Sequence, residues 1–141
     1  MSDFSFLPLE KTIERLAEGL QLYAENNSDI IRDGLIQRFE FSYEISHKIL
    51  KRFLQNISAN SEQFDEMNFA DLIRSANQQN LLLGNWQNWK KYRDMRNRTS
   101  HTYDEQVAIA IVAEFPDFLK EIKYLLVKIK ERTNAQNSNN Q

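Results

Sequence analysis

The segment from residue 90 to residue 103 brings together the groups that a phosphate-handling site needs: several cations, hydroxyls, one imidazole and one phenol. The guanidinium of Arg96 is a permanently charged, bidentate donor for phosphate oxygens, and the imidazole of His101 can take up and release a proton near neutral pH. The two groups together suit phosphoryl transfer. On RNA, a 2′-hydroxyl would attack the adjacent phosphorus while His101 moves the proton and Arg96 stabilises the phosphorus oxygens. This route requires no metal.

The spacing of these two residues demands a break in the helix that carries them. Arg96 and His101 are five residues apart, which on an unbroken α-helix separates them by about 140° around the axis and about 7.5 Å along it. Thr102 followed by Glu105 is a capping-box pattern, which predicts that a new helix starts there. We therefore expect a break near His101 that lets both side chains face one cleft.

The basic residues near the motif stand out against an acidic chain. The chain has 18 Lys and Arg against 20 Asp and Glu and a sequence pI near 5.7, which argues against binding nucleic acid by bulk charge. Residues 90–98 nevertheless carry a net charge of +4. Lys90, Arg93 and Arg98 are candidates for steering a phosphate backbone. The alternatives are a solvated surface or a contact with an acidic partner.

Cysteine and histidine counts exclude other kinds of site. The chain has no Cys, and its two histidines, His47 and His101, are too far apart for a local zinc site. We therefore predict no metal and no cofactor. The longest apolar run covers only residues 107–113, and residues 1–11 lack the pattern of a signal peptide. The expectation is a cytoplasmic protein without a membrane segment.

The composition and apolar spacing predict an all-α fold. Three Gly and two Pro in 141 residues are fewer than β-rich folds use in their turns. Apolar periodicity and capping signals at Asn68, Asn85 and Pro116 predict an antiparallel, up-and-down bundle of about five to six helices. The helices are expected over residues 9–26, 29–57, 69–82, 86–99, 104–115 and from 116 onward.

The long second helix and the polar C-terminus complete the predicted organisation. More than half of the circumference of the helix over residues 29–57 is apolar, so it is either central or shared with a second subunit. Residues 1–133 are expected to form a single domain. Residues 134–141 are polar and low in complexity, which predicts a disordered tail.

Two stretches of the chain resemble a known family. IRDGLIQRFEFSYEISHKILKRFL, followed about forty residues later by RNRTSHTYDE, resembles HEPN-domain proteins encoded beside minimal nucleotidyltransferases. That group is labelled both nucleotidyltransferase substrate-binding protein and HEPN toxin. The resemblance covers residues 9–132. Its signature is an Arg, four residues, a His, one residue and a Tyr, which matches Arg96, His101 and Tyr103, with Asn97 in the polar position that often follows the Arg.

The resemblance implies a fold, an activity and a form of control. Its fold is an antiparallel helical bundle that dimerises and brings two copies of the motif to one cleft. Active relatives cleave RNA without metal, using the Arg and the His. In toxin–antitoxin pairs the nucleotidyltransferase silences its partner by attaching AMP to the Tyr, which corresponds to Tyr103. A phosphodiester there would offer Arg96 an intramolecular anion and exclude the RNA.

Three functions are therefore open. The first is a ribonuclease toxin that Tyr103 adenylylation silences. The second is a non-catalytic subunit that binds nucleotide or substrate for a two-component nucleotidyltransferase, since the chain lacks the Gly-Ser and paired Asp of that enzyme class. The third is a helical adaptor without a small-molecule site. The partners implied are a second copy of the chain, a minimal nucleotidyltransferase, and RNA or nucleotide.

Other residues that could bind RNA are better explained as structural. Trp86 and Trp89 could stack on bases, but aromatic residues at helical spacing usually belong to the core. His47 lies where many relatives are expected to have Trp. A packed or exposed histidine is the simplest interpretation, and we assign His47 no functional role.

Overall fold

A computed structural model describes residues 4–139, and the side chains of residues 4–135. The described part of the chain folds into six α-helices. No strand occurs within that range, so the all-α fold class is confirmed. Two short 3₁₀ turns cover Ser61–Phe64 and Thr99–His101. The helices are α1 (Leu7–Glu25), α2 (Asp29–Ile57), α3 (Phe69–Gln78), α4 (Trp86–Arg98), α5 (Glu105–Val112) and α6 (Phe115–Asn139).

Polar side chains define where α2, α3 and α4 begin. The hydroxyl of Ser28 accepts a hydrogen bond from the Ile31 N–H, and the amide oxygen of Asn68 accepts one from the Asp71 N–H at 2.8 Å. Asn85 caps α4, while Asn88 accepts a reciprocal bond from the Asn85 N–H at 3.1 Å. These bonds satisfy N–H groups that a helix leaves unpaired at its first turn. The predicted caps at Asn68 and Asn85 are confirmed.

Helix α2 is the centre of the bundle. It contacts each of the other five α-helices. Phe39, which is fully buried, stacks on Phe115 with ring centroids 4.5 Å apart and meets the edge of Phe118 at 5.0 Å. Burying aromatic rings removes a large apolar surface from water, and offset or edge contacts add to that gain. The sequence predicted that this helix is either central or shared with a second subunit, and its contacts within the chain make it central.

Helix α3 ends earlier than the sequence predicted. The apolar pattern continued through residue 82, but α3 ends at Gln78, and Asn80 adopts a positive φ of 59°. Asparagine tolerates this left-handed conformation, which typically ends a helix. Leu81 and Leu82 are still buried, so their apolar character reflects a buried loop.

The start of α5 also differs from the prediction. Asp104, not Thr102, is the N-cap, because its carboxylate accepts the Gln106 N–H at 2.9 Å. The Thr102 hydroxyl instead donates to the Thr99 carbonyl oxygen, so the capping box predicted from Thr102 and Glu105 is wrong. The break itself is confirmed: the 3₁₀ turn Thr99–His101 separates α4 from α5.

Helix α6 begins at Phe115, with Pro116 in its first turn as predicted, and continues to Asn139. It therefore includes residues 134–139 of the segment for which the sequence predicted disorder. No Gly or Pro follows Pro116, so no residue of strong helix-breaking character stops the helix. Residues 140–141 lie outside the described residues, and the single domain over residues 1–133 stays a prediction. None of the described helices is both long and apolar enough to cross a membrane.

Candidate functional site

Arg96 lies in the last turn of α4 and points its guanidinium at α2. Its Nη1 atom donates to Glu40 Oε2 at 3.1 Å, and its Nη2 atom donates to Glu44 Oε1 at 2.6 Å. Glu40 and Glu44 are one helical turn apart, so both carboxylates reach the same guanidinium. The side chains of Arg96 and Glu40 are each 31% exposed, and that of Glu44 is 55% exposed. Two negative charges therefore surround one positive charge.

Thr99 joins this network from the 3₁₀ turn. Its Oγ1 atom accepts from Arg96 Nη1 at 3.1 Å and lies 2.8 Å from Glu40 Oε2 and 2.6 Å from the Arg96 carbonyl oxygen. The hydroxyl has one proton, so it donates to one of these two oxygens at a time. Thr99 is buried. It connects the end of α4 to the carboxylate of Glu40.

His101 ends the 3₁₀ turn and is exposed. Its ring centroid is 6.3 Å from that of Tyr103, in an edge arrangement, and its carbonyl oxygen accepts the Asp104 N–H. Among the described residues, the Arg96 guanidinium bonds to Glu40, Glu44 and Thr99 and has no hydrogen bond to this imidazole. A shared cleft for Arg96 and His101 stays a prediction.

The other two motif residues are open to solvent. Tyr103 is 88% exposed, so its phenol is accessible to a modifying enzyme. Asn97 is exposed, and its carbonyl oxygen accepts from the Ser100 hydroxyl at 3.1 Å. The turn between α4 and α5 thus presents the polar part of the motif on the surface.

The three candidate steering cations lie on two different faces of α4. Lys90 and Arg98 line a groove of about 400 Å³ between α4 and α5, together with Met95, Ile111 and other residues. Arg93 instead places its guanidinium over the rings of Trp86 and Phe69, at 5.0 and 5.9 Å from their centroids. Lys90 and Arg98 therefore share one groove, whereas Arg93 has aromatic partners elsewhere.

The groove also contains negative charge. Lys91 forms an ion pair with Glu114 at 2.6 Å, and Asp94 lies on the same wall. The groove is therefore mixed in charge, and Met95, Ala110 and Ile111 add apolar surface to its lining. That chemistry suits an anion attached to an apolar or aromatic body better than a bare ion.

The tryptophans and His47 are part of the packing. Trp89 is fully buried, which confirms its assignment to the core, and Trp86 is half-buried at an edge contact with Phe69. The His47 ring is 4.7 Å from the Phe69 ring. Burial, and to a smaller extent the charge of Lys51, lower the pKa of His47 below its usual value. These contacts give His47 a packing role.

A buried carboxylate positions the other end of α4. Glu121 on α6 is 2% exposed and accepts hydrogen bonds from the Leu83 and Gly84 N–H groups, both at 2.8 Å. Burial raises the pKa of Glu121, and the two backbone donors oppose that shift. The bonds hold the loop that leads into the Asn85 cap. The sequence signal is that residue 121 falls on the apolar stripe of α6, between Phe118 and Leu125.

The helical bundle is the fold that the sequence resemblance implied, and the Arg-x₄-His-x-Tyr motif spans the break between α4 and α5. The chain belongs to the family described as nucleotidyltransferase substrate binding protein like, which matches residues 4–131. A Haemophilus influenzae protein named probable ribonuclease HepT is 38% identical over 134 residues, which cover 92% of this chain and 90% of that protein.

Two solved structures share the fold. One is a Haemophilus influenzae protein described as a substrate-binding domain of a nucleotidyltransferase, with a TM-score of 0.82 and 36% identity over 86% of this chain and 96% of that chain. The other is a Thermus thermophilus protein with a TM-score of 0.73 and 30% identity over 86% of this chain and 98% of that chain. The family resemblance inferred from the motif is confirmed.

Proposed function

We propose that this chain is a metal-independent endoribonuclease of the HEPN type, with Arg96 and His101 as its catalytic groups. The observation that carries the proposal is the motif at the break between α4 and α5, with an exposed imidazole at the turn and a guanidinium in the preceding helical turn. The similarity to a protein named probable ribonuclease HepT supports it. A cytoplasmic location fits an RNA substrate.

The proposed reaction is an internal transesterification. The 2′-oxygen forms a bond to the adjacent phosphorus as the bond from phosphorus to the 5′-oxygen breaks, which leaves a 2′,3′-cyclic phosphate and a 5′-hydroxyl. One imidazole takes the proton from the 2′-hydroxyl, and a proton is delivered to the departing 5′-oxygen. Arg96 stabilises the charge on the non-bridging oxygens. A homodimer would supply a second His101 for the second proton transfer.

The surface offers a place for that dimer contact. Ile30 is 84% and Phe41 51% exposed on α2, and Ile109 on the adjoining α5 is 43% exposed. Ile30 and Phe41 are eleven residues apart, close to three helical turns, so they share one face of α2. Phe41 directly follows Glu40. A second copy packed on this face would bring the two Arg96 clusters toward each other, and Phe41→Glu should shift the protein to monomer in sedimentation analysis.

The proposed control is adenylylation of Tyr103 by a nucleotidyltransferase partner. The exposure of the phenol supports this, because an enzyme must reach the hydroxyl. The attached phosphodiester would lie two residues from His101, where RNA is expected to bind. Intact-mass analysis after expression with a minimal nucleotidyltransferase partner should find a gain of one adenylyl group, which Tyr103→Phe abolishes.

Cleavage of a short RNA by the purified protein tests the central proposal. Arg96→Ala and His101→Ala should each reduce the rate by about 10²-fold or more, and chelators should have no effect. Arg74→Ala, which removes an exposed cation paired with Asp71 on α3, is a matched control and should cleave at the parent rate. Motif variants that cleave as fast as the parent would contradict the assignment.

A non-catalytic nucleotide- or substrate-binding subunit is the second candidate. Its support is the family description, a solved relative described as a substrate-binding domain, and the mixed-charge groove between α4 and α5. It predicts a parent protein that does not cleave RNA but co-purifies with a nucleotidyltransferase and binds nucleotide. Lys90→Ala and Arg98→Ala would then weaken nucleotide binding while Arg96→Ala would not.

A further inference from the structure

The two terminal nitrogens of the Arg96 guanidinium differ in how many partners they have. Nη1 contacts both Glu40 and Thr99, whereas Nη2 contacts Glu44 alone. Within the part of the chain that the structure describes, Arg96 Nε has no hydrogen bond. The edge formed by Nε and Nη2 is one of the two edges on which a guanidinium binds an oxyanion bidentately. The Glu44 carboxylate contacts this edge through Nη2.

The two carboxylates differ in how firmly they are held. Glu40 receives hydrogen bonds from Arg96 and Thr99 on one oxygen and is 31% exposed. Glu44 is 55% exposed and receives one hydrogen bond, from Arg96. An exposed ion pair gains little because water solvates both partners well when they separate. Glu44 can therefore leave Arg96 at small cost, whereas Glu40 has a second partner in the Thr99 hydroxyl, which lies 2.8 Å from the same carboxylate oxygen.

We propose that Glu40 is a positioning residue that fixes Arg96, and that Glu44 is a displaceable counter-ion that occupies the phosphodiester-binding edge of Arg96 until RNA arrives. This inference rests on the proposed ribonuclease function, and it says which group occupies the phosphate-binding position when no substrate is bound. The phosphodiester of the RNA takes the place of the Glu44 carboxylate on Nε and Nη2. Glu40 and Thr99 keep the guanidinium in place during the exchange.

The proposal predicts opposite effects for two chemically identical substitutions one helical turn apart. Glu44→Gln removes the competing charge, so KM for RNA should fall about 3- to 10-fold with little change in kcat, and the gain should shrink as salt rises. Glu40→Gln weakens the anchor, so kcat should fall about tenfold or more with a smaller change in KM. Glu44→Asp keeps the charge and should restore the parent KM.

The experiment measures cleavage kinetics of a short RNA, and binding of a non-cleavable 2′-deoxy analogue by anisotropy, with protein expressed without a nucleotidyltransferase so that Tyr103 is unmodified. Glu18→Gln is the matched control, because Glu18 pairs with Arg38 across α1 and α2 in the same way, at 2.9 Å, away from the motif. It should leave KM and kcat unchanged. In an Arg96→Ala background, the effect of Glu44→Gln should disappear because it acts through Arg96.

The outcomes separate this inference from the proposed function. If Arg96→Ala abolishes cleavage but Glu44→Gln leaves KM unchanged or raises it, the counter-ion role is overturned and the ribonuclease assignment stands. A gain in affinity for the 2′-deoxy analogue that persists in the Arg96→Ala background would also overturn it, since the charge would then act on RNA generally. If Arg96→Ala cleaves RNA normally, the proposed function itself fails.

Discussion

The two ends of α4 are both held by carboxylates, but in opposite ways. At the N-terminal end, buried Glu121 has two backbone N–H donors and almost no contact with water. At the C-terminal end, two partly exposed carboxylates share the single charge of Arg96. A buried network in which each donor has an acceptor holds a loop in place, because breaking it leaves buried polar groups with neither a protein partner nor water. An exposed network with surplus negative charge can exchange partners, which is the property that a ligand-binding site needs.

The largest expected effect is on stability at the N-terminal end. Glu121→Ala leaves the Leu83 and Gly84 N–H groups without their acceptor and should lower the free energy of unfolding by about 2–5 kcal/mol. Glu121→Gln keeps one oxygen acceptor and should cost less than Glu121→Ala. Urea denaturation measures both, with the exposed Glu131→Ala as control. A loss below about 0.5 kcal/mol for Glu121→Ala would break the contrast between the two ends.

The C-terminal end should respond in activity more than in stability. Thr99→Val keeps the shape of a buried side chain and removes the hydroxyl between Arg96 and Glu40. We expect a loss of about 1 kcal/mol in unfolding free energy and a fall of about tenfold in kcat, because the guanidinium loses part of its support. Denaturation and RNA cleavage measure the two quantities on the same preparation. If Thr99→Val lowers the unfolding free energy as much as Glu121→Ala does, the network at the C-terminal end of α4 is as important for stability as the one at the N-terminal end, and the contrast fails.

The same contrast separates what the sequence could predict from what it could not. Asn68 and Asn85 cap helices through bonds to residues two or three positions away, so their roles are visible in the local pattern. The helix break between Arg96 and His101 was predictable for the same reason, although the cap is Asp104 and not Thr102. Local spacing therefore predicted the break, whereas the motif that spans it was identified from the family resemblance.

The residues that support the motif depend on contacts between distant parts of the chain. Arg96 meets Glu40 and Glu44 across more than fifty residues, and Glu121 meets Leu83 across 38 residues. Which face of α2 meets the end of α4 is decided by packing of the whole bundle, and periodicity gives no such information. For Glu121, the sequence did carry a local signal, because a glutamate on the apolar stripe of α6 indicates a buried carboxylate.

The pH dependence of stability tests the N-terminal end without removing its hydrogen bonds. Because burial raises the pKa of Glu121, the folded state binds a proton more tightly than the unfolded chain between the usual value of 4.5 and the raised value. Stability from this group is therefore lost as pH rises through that window. The unfolding free energy of the parent relative to Glu121→Gln should fall with increasing pH there. A difference that rises instead would mean that the two N–H donors outweigh burial.

The smallest expected effect comes from His47, which lies on the central helix α2 and packs against Phe69. Burial and Lys51 lower its pKa from 6.5, so the unfolded chain binds a proton more readily than the folded protein below that value. Stability should therefore rise as pH increases through the window between the lowered pKa and 6.5. His47→Gln stays neutral, so the unfolding free energy of the parent relative to this variant should increase as pH rises through that window. If His47 only packs against Phe69, the His47→Gln variant should cleave RNA at the parent rate at neutral pH. A loss of kcat as large as that of His101→Ala would instead show that His47 takes part in the reaction.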